Sequence, residues 1–319
     1  MGSKTCAVNN KKTSIGGQAL IEGVMMRGPH KTAMAVRHIS GEIVTEEWEN
    51  AVSNKPKFWK LPFIRGIYNM IESLKTGYKC LMRSAVLAGL DDEEPNAIPK
   101  KSETVLMSIL MVFSTILGVL LALGLFMYLP SFLYRLFAGW LDNNNGTFWS
   151  QNAVLRGVFE GVLRLVLFLI YLSLVSLMKD IRRVFMYHGA EHKTIFCYEN
   201  GEELTVENIR RQSRFHPRCG TSFLVLTLLV GMAISICIQV DVVWLRVLIK
   251  IALLPLTVGI GYELIKLAGR KNNRFTRLIS APGLWIQRLT TREPDDSMIE
   301  CAIAAFLPVV PEDPKADEW

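Results

Sequence analysis

The residues at positions 188–192 carry the most chemically specific spacing in the chain: His188, Glu191 and His192 in an H-x-x-E-H frame. On a helix, positions four apart share a face, so both imidazoles can reach one metal ion. Glu191 then stands beside that ion, placed to take a proton from a bound water as general base. The whole chain holds only five histidines, so two of them framing a glutamate is not a compositional accident. The competing reading is a pair of interfacial histidines hydrogen-bonded to backbone or lipid headgroups. A metal or catalytic site is the expectation, with zinc as the ion, His188 and His192 as ligands and Glu191 as the base.

The same spacing occurs in the inverzincin peptidases, where a downstream glutamate completes the ligand set. By that analogy Glu263 is one source of a third ligand; His216 and Cys219, in His216-Pro-Arg-Cys219, are two others. Each has a plainer role as well. Glu263 can pair with Lys266 three residues on. Cys219 can be a small buried residue in a turn between Pro217 and Gly220, or a nucleophile beside Arg218 and near His216.

Such a cluster needs elements to bring its parts together, and the hydropathy pattern supplies them. Half of the residues are hydrophobic and the mean hydropathy is positive, at +0.26. Residues 104–129 and 221–240 contain no charge, and each is long enough to cross a hydrocarbon core of about 30 Å as a helix. Residues 154–178 carry Arg156, Glu160 and Arg164, which fall on one helical face and can pair with one another. Residues 242–265 carry Arg246, Lys250 and Glu263, and Pro255 kinks the segment. Counting all four as spans gives a mainly α membrane protein built on a four-helix transmembrane bundle at 104–265.

Orientation follows from basic residues in the connections. The 179–220 loop holds Lys179, Arg182, Arg183, Lys193, Arg210, Arg211, Arg214 and Arg218, whereas 130–153 holds only Arg135. The basic loop is therefore expected in the cytosol, with both chain ends on the same side. The basic run after residue 265 agrees; Arg246 and Lys250 lie on the wrong side for the rule and are outvoted. The cytosolic ends of the second, third and fourth spans then present His188, His192, His216, Cys219 and Glu263 at one membrane face.

Residues 1–57 read as a small cytosolic α+β unit. It contains a glycine-punctuated strand-like stretch at 15–29 and a hairpin whose arms, 33–39 and 42–48, flank the Ser40-Gly41 turn. Residues 58–103 are an amphipathic helical segment, on the membrane surface or packed on the spans, followed by an acidic, proline-bounded linker at 91–99. Residues 266–319 form a cytosolic helical tail with helices at 283–289 and 295–306, the second capped by Asp295. Residues 1–20 are polar and show no secretory signal, and six scattered cysteines without a C-x-x-C pair suit a reducing compartment.

Composition excludes some functions. The net charge of +7 clusters beside span ends, which points to anionic lipid in the bilayer and away from nucleic acid. Gly16-Gly17 and Glu22-Gly23 lack a phosphate-loop frame, so their glycines serve turns. Glu22 and Arg27 are charged among apolar neighbours, as strand alternation also produces.

Four stretches extend these readings to a family: Ile15-Gly-Gly-Gln-Ala-Leu-Ile-Glu-Gly-Val-Met-Met-Arg-Gly-Pro29, Tyr187-His-Gly-Ala-Glu-His-Lys-Thr194, His216-Pro-Arg-Cys-Gly-Thr-Ser-Phe223 and Pro282-Gly-Leu-Trp-Ile-Gln-Arg-Leu-Thr-Thr-Arg-Glu-Pro-Asp-Asp296. Over nearly the whole chain they resemble the bacterial YqhQ-like membrane proteins, a largely uncharacterised family sometimes described as metal-dependent enzymes. The resemblance implies a multi-pass protein of a bacterial plasma (inner) membrane. It supports His188, Glu191, His192, His216 and Cys219 as site residues and brings no substrate with it.

Two functional readings follow. One is a membrane-embedded metal-dependent hydrolase, a peptidase among the options, working at the cytosolic interface. The other is a non-enzymatic scaffold or regulator, for example of membrane-protein insertion, whose cytosolic face binds a protein partner and whose His/Glu/Cys cluster is a structural polar or metal site. Transport is a weaker third, resting on the charged spans.

Overall fold

A computed structural model describes residues 12–50, 61–90, 101–145, 147–270, 273–313 and 315–318. The acidic linker expected at 91–99 lies outside the described residues, as do the ends of the N-terminal unit, 1–11 and 51–57.

Four strands open the chain as an antiparallel meander: β1 (Gly16–Leu20), β2 (Gly23–Arg27), β3 (Lys31–Arg37) and β4 (Ile43–Glu49). The expected hairpin around Ser40-Gly41 is the β3–β4 pair, with Gly41 at φ 90°. The 15–29 stretch folds on itself as β1 and β2. Strands β2 and β3 are apolar without alternation because both faces of the sheet are covered. Leu20, Met25 and Met34 meet Cys80 of helix α1 (Ile64–Leu87) on one face. Val24, Met26, Ala33 and Ala35 meet helices on the other. The amphipathic segment is thus one helix, packed on the sheet and on a later helix rather than lying free.

A helical region follows. Helix α2 (Lys101–Leu123) passes through a π turn at Gly124–Tyr128 into α3 (Leu129–Asn145), where the sequence suggested a loop from residue 130. Pro130 explains both features. It has no N–H to give the Phe126 carbonyl four residues back, and its ring crowds that carbonyl, so the backbone widens by one π turn instead of ending. A short α4 (Phe148–Gln151) leads into α5 (Ala153–Val175). Then come α6 (Lys179–Glu199), α7 (Val206–Arg210), α8 (Gly220–Ile236), α9 (Val243–Ala252) and α10 (Leu254–Arg270). The tail is α11 (Arg274–Thr290) and α12 (Asp296–Phe306), with Asp295 accepting from the Met298 N–H as the expected cap.

Among the described residues, two helices are long and apolar enough to cross a membrane, Ile109–Asn143 and Ala153–Val175, or three if α9 and α10, bent by 48°, form one broken span. The uncharged third segment yields a shorter apolar helix, Gly220–Ile236. Helices α5 and α8 nonetheless run side by side. Gly157 and Gly161, a G-x-x-x-G pair, let them touch: a Cβ on Gly157 would stand 2.9 Å from the Ile236 Cα, and one on Gly161 would strike Met232. Further along, Leu172, Val225 and Ile286 share a core. Helix α10 returns beside α8, with Gly261 against Thr227 and Gly231 near Thr257.

The charges on α5 do not pair along that helix. Glu160 binds Arg246 (Nη1 to Oε1, 2.9 Å) and Lys250, both from α9. Segments far apart in sequence also share one core: β2 and β3 enclose Tyr187, Ala190 and Ile195 of α6, Ile209 of α7, and Met298, Ile299 and Phe306 of α12. The basic 179–220 stretch is therefore not one open loop: α6 is the central helix of the sheet unit, and α7 and a connecting segment lead on to Cys219.

Candidate metal centre

Helix α6 delivers the H-x-x-E-H face, and every part of the motif has a packing reason. Ala190 is fully buried against the sheet core. Gly189 is where residues 290–292 cross the helix: a Cβ there would strike the Arg292 carbonyl, and the Arg292 N–H binds the Phe185 carbonyl at 2.8 Å. That crossing presents the Thr290 carbonyl to His188 Nδ1 at 2.9 Å. The Arg214 carbonyl stands 2.6 Å from His192 Nδ1. An imidazole bonded this way carries its proton on Nδ1 and turns Nε2 outward as a ligand atom, the usual backing of a metal-bound histidine.

Both histidines point at Cys219. His188 Nε2 lies 3.2 Å from its sulfur, and ligand atoms of His188, His192 and Cys219 all fall within 4.8 Å of one another. Tetrahedral zinc with ordinary Zn–N and Zn–S lengths separates such N and S atoms by roughly 3.5 Å, so this donor set fits zinc after small side-chain adjustment. Cys219 is the N-cap of α8, where backbone N–H groups favour an anion; the Thr221 N–H and hydroxyl lie 3.4 and 3.1 Å from the sulfur. Burial alone would raise the Cys219 thiol, but His188 and His192 outweigh it and hold the group well below its usual range. Burial opposes charge on His188 too, yet the facing sulfur and Glu191 lift it to about 9. The lowered thiol favours the thiolate form that binds zinc.

Glu191 is buried beside the pair. Burial raises its carboxyl above the ordinary value against the pull of both histidines. Its Oε1 accepts the Gly17 N–H at 3.1 Å. Gly17 has no side chain for a local reason: a Cβ would stand 2.9 Å from the Glu191 Cγ and 2.6 Å from the Met25 carbonyl. The outer edge of β1 and the residues before it lie along α6. Two turns on from Glu191, Glu199 takes the Thr13 N–H at 2.8 Å and pairs with Arg218, which binds the Thr13 carbonyl at 2.9 Å.

The other two sequence candidates sit elsewhere. The His216 ring lies near that of His192, centres 5.5 Å apart and planes tilted by 40°, but its Nε2 faces Glu199 Oε2 at 3.7 Å. Burial and neighbouring positive charge push it down to about 4, so it is neutral at pH 7. Glu263 is corrected more firmly. It forms a two-pronged ion pair with Arg65 of α1, Nε to Oε1 at 2.7 Å, away from the cluster. Lys266, three residues on, adds its positive charge to that of Arg65 beside this carboxylate.

The supports of the cluster come from residues that carry no motif of their own. Gln287, fully buried, clamps the loop before Cys219: its Oε1 accepts the His216 N–H at 2.7 Å, and its Nε2 donates to the His216 carbonyl at 2.7 Å and the Ser222 hydroxyl at 3.1 Å. The Gly16-Gly17 doublet was a visible signal for the contact with Glu191; the carbonyls of Thr290 and Arg214 had none.

Comparison with known proteins agrees with the resemblance drawn from the motifs. No solved structure matches the chain. "Uncharacterized protein YqhQ" of Bacillus subtilis (strain 168) is 38% identical over 298 residues, covering 91% of this chain and 90% of that protein. A family model described as "Protein of unknown function (DUF1385)" matches residues 61–312, a stretch that contains α6, the Cys219 loop and the 290–292 crossing. The chain belongs to the DUF1385 family.

Proposed function

We propose that this chain is a membrane-embedded, zinc-dependent hydrolase. The observation that carries the reading is the convergence of His188, His192 and Cys219 within 4.8 Å, each imidazole backed by a carbonyl on Nδ1. Three protein donors with a fourth position open are the composition of a catalytic zinc site. A bound zinc ion would supply Lewis acidity and a water acidified toward neutral pH. Glu191 would hold the proton that such a water gives up, and its raised carboxyl pKa would suit returning it to a leaving group. The Gly17 N–H keeps the carboxylate aimed while the reaction proceeds. His188 is the partly exposed member, so substrate approaches on its side.

A second reading has its own support. Glu191, His192 and Cys219 are all buried, as in a closed structural site that fixes the sheet unit to α8 for a scaffold or regulatory role. Zinc content of the purified protein tests both readings, compared with a His188→Ala/His192→Ala double variant. About one equivalent in the wild type, lost in the variant, is expected. Metal-free wild type prepared without chelator would overturn the site. Glu191→Gln then separates the readings: a hydrolase keeps zinc and loses its cellular role, whereas a structural site keeps both.

We also infer four crossings of a bacterial plasma membrane. The sheet, α6 and α12 share one core and so lie on one side of the bilayer. An even number of crossings must therefore separate β4 from α6, and α6 from α12. The Ile109–Asn143 and Ala153–Val175 helices supply the first pair. If the broken α9–α10 pair crosses, α8 must cross with it, and its course beside α5 supports that. The basic residues of α6 and α7 favour the cytosol for the shared unit.

A further inference from the structure

The charged ladder between α5, α9 and the π turn lies at the opposite end of α8 from the candidate zinc site, and nothing in the hydrolase reading uses it. Arg156 stands within the first turn of α5 and Arg164 eight residues on, about 12 Å further along the helix. Arg156 meets the exposed Asp241 at 3.1 Å and the Val240 carbonyl at 3.1 Å. Next along, Glu160 is held by Arg246 and Lys250, and Lys250 also reaches the Ser131 hydroxyl at 3.3 Å. Arg164 comes last. Its Nε binds the Phe126 carbonyl, four residues before Pro130, at 2.8 Å.

The charges do not balance. Arg156, Arg164, Arg246 and Lys250 share two carboxylates, Glu160 and Asp241, and Asp241 is out at the surface. Glu160 spends both oxygens on Arg246 and Lys250. Arg164 is only 8% exposed, and among the described residues its Nη2 meets no acceptor. A guanidinium buried among apolar helices with a free N–H is costly unless an anion completes it. Its planar fork matches an oxyanion carrying several acceptor oxygens, which a single water does not neutralise. Two backbone irregularities flank the spot, the π turn and the break between α9 and α10; in membrane proteins such breaks mark sites rather than lipid-facing wall.

We propose that this network is a binding site for a phosphate-type oxyanion, received by the free Nη2 edge of Arg164 with Lys250 beside it. The phosphate can arrive on an anionic phospholipid, drawn down the ladder from the helix end at Arg156, or as a free ion.

The test uses the full-length protein in neutral detergent. Native mass spectrometry compares retention of phosphatidylglycerol with phosphatidylcholine, and thermal unfolding is followed during titration with inorganic phosphate. Wild type should retain one phosphatidylglycerol at least tenfold more strongly than phosphatidylcholine, and Arg164→Gln should lose that preference. A stabilising shift with inorganic phosphate in wild type, absent in Arg164→Gln and without lipid preference, also supports the site and assigns it to a free ion. Arg164→Lys keeps charge and bulk; it should fold where Arg164→Gln does not, and bind at least threefold more weakly than wild type for want of the fork. Wild type that shows neither a lipid preference nor a phosphate shift overturns the proposal whatever the variants do.

Discussion

His188 and Cys219 stand 31 residues apart in sequence and face each other across 3.2 Å, Nε2 to sulfur. Each is fixed from behind, His188 by the Thr290 carbonyl and Cys219 by its place at the head of α8. The first prediction concerns this pair. Cys219→Ala should lower bound zinc from about one equivalent to a small fraction, while Cys219→Ser retains an intermediate amount because oxygen is a poorer zinc ligand than thiolate. Elemental analysis of protein purified without chelator measures both. Full zinc occupancy in Cys219→Ala would remove the cysteine from the ligand set.

Cysteine reactivity should report the same site. Cys301 donates to the Ala35 carbonyl at 3.0 Å, and burial pushes its thiol up to about 12; burial does the same to Cys197. At pH 8 their thiolate fraction is roughly one in ten thousand, so iodoacetamide should leave both unmodified in the folded protein. Exposed Cys237 should label at once. Cys219, whose thiol is held low, should be protected in zinc-loaded protein and become labelled after chelation. Peptide mass mapping with and without chelator reads all four.

Gly17→Ala isolates the role of the first strand. The added methyl would stand 2.9 Å from Glu191 Cγ and 2.8 Å from the Met26 sulfur, so it must displace the carboxylate or the strand. Zinc should remain, because its ligands come from α6 and Cys219, while the cellular role falls as far as in Glu191→Gln. Loss of zinc in Gly17→Ala would mean that the strand supports the ligands as well as the base.

How far these features could be read from sequence depends on how local they are. The H-x-x-E-H face, the β3–β4 hairpin and the Asp295 cap are set by neighbours a few residues apart, and each is where its spacing put it. Partner choice for charged residues was not local. Arg156, Glu160 and Arg164 look self-paired on a helical wheel, yet Glu160 takes Arg246 and Lys250, 86 and 90 residues away. Glu263 takes Arg65 from 198 residues away. Both choices follow from which helices pack, and the packing is set by glycines such as Gly66, against the Tyr262 ring, and Gly157, against Ile236. Pro130 was readable as a breaker, but not that a π turn would absorb it and carry the helix on to Asn145.

Membrane topology gives a separate check on the shared core. In a background with Cys6 and Cys237 changed to serine, Ser40→Cys and Lys315→Cys should be accessible to an impermeant maleimide from one side of the membrane. Ser150→Cys and Asp241→Cys should be accessible from the other. Right-side-out and inverted vesicles distinguish the two sets. Labelling of all four positions from one side would reduce α5 and α8 to helices that do not separate the compartments.

The last prediction concerns the latch beside the site. Glu199 is almost fully buried, pairs with Arg218, accepts the Thr13 N–H and faces His216. Glu199→Gln leaves the Arg218 guanidinium buried without its counter-charge, a change that costs about 3 kcal/mol or more. The loss should appear in equilibrium unfolding at neutral pH. Burial favours the neutral acid, but His216 and Arg218 outweigh it and hold the Glu199 carboxyl below its ordinary 4.5. A carboxylate depressed in the folded state stabilises above its unfolded pKa, and that stabilisation fades as pH falls through 4.5 and below. The gap between wild type and Glu199→Gln should therefore be widest near neutrality and close on acidification. A gap that stays constant from pH 7 to pH 3 would show that the residue acts through packing rather than charge.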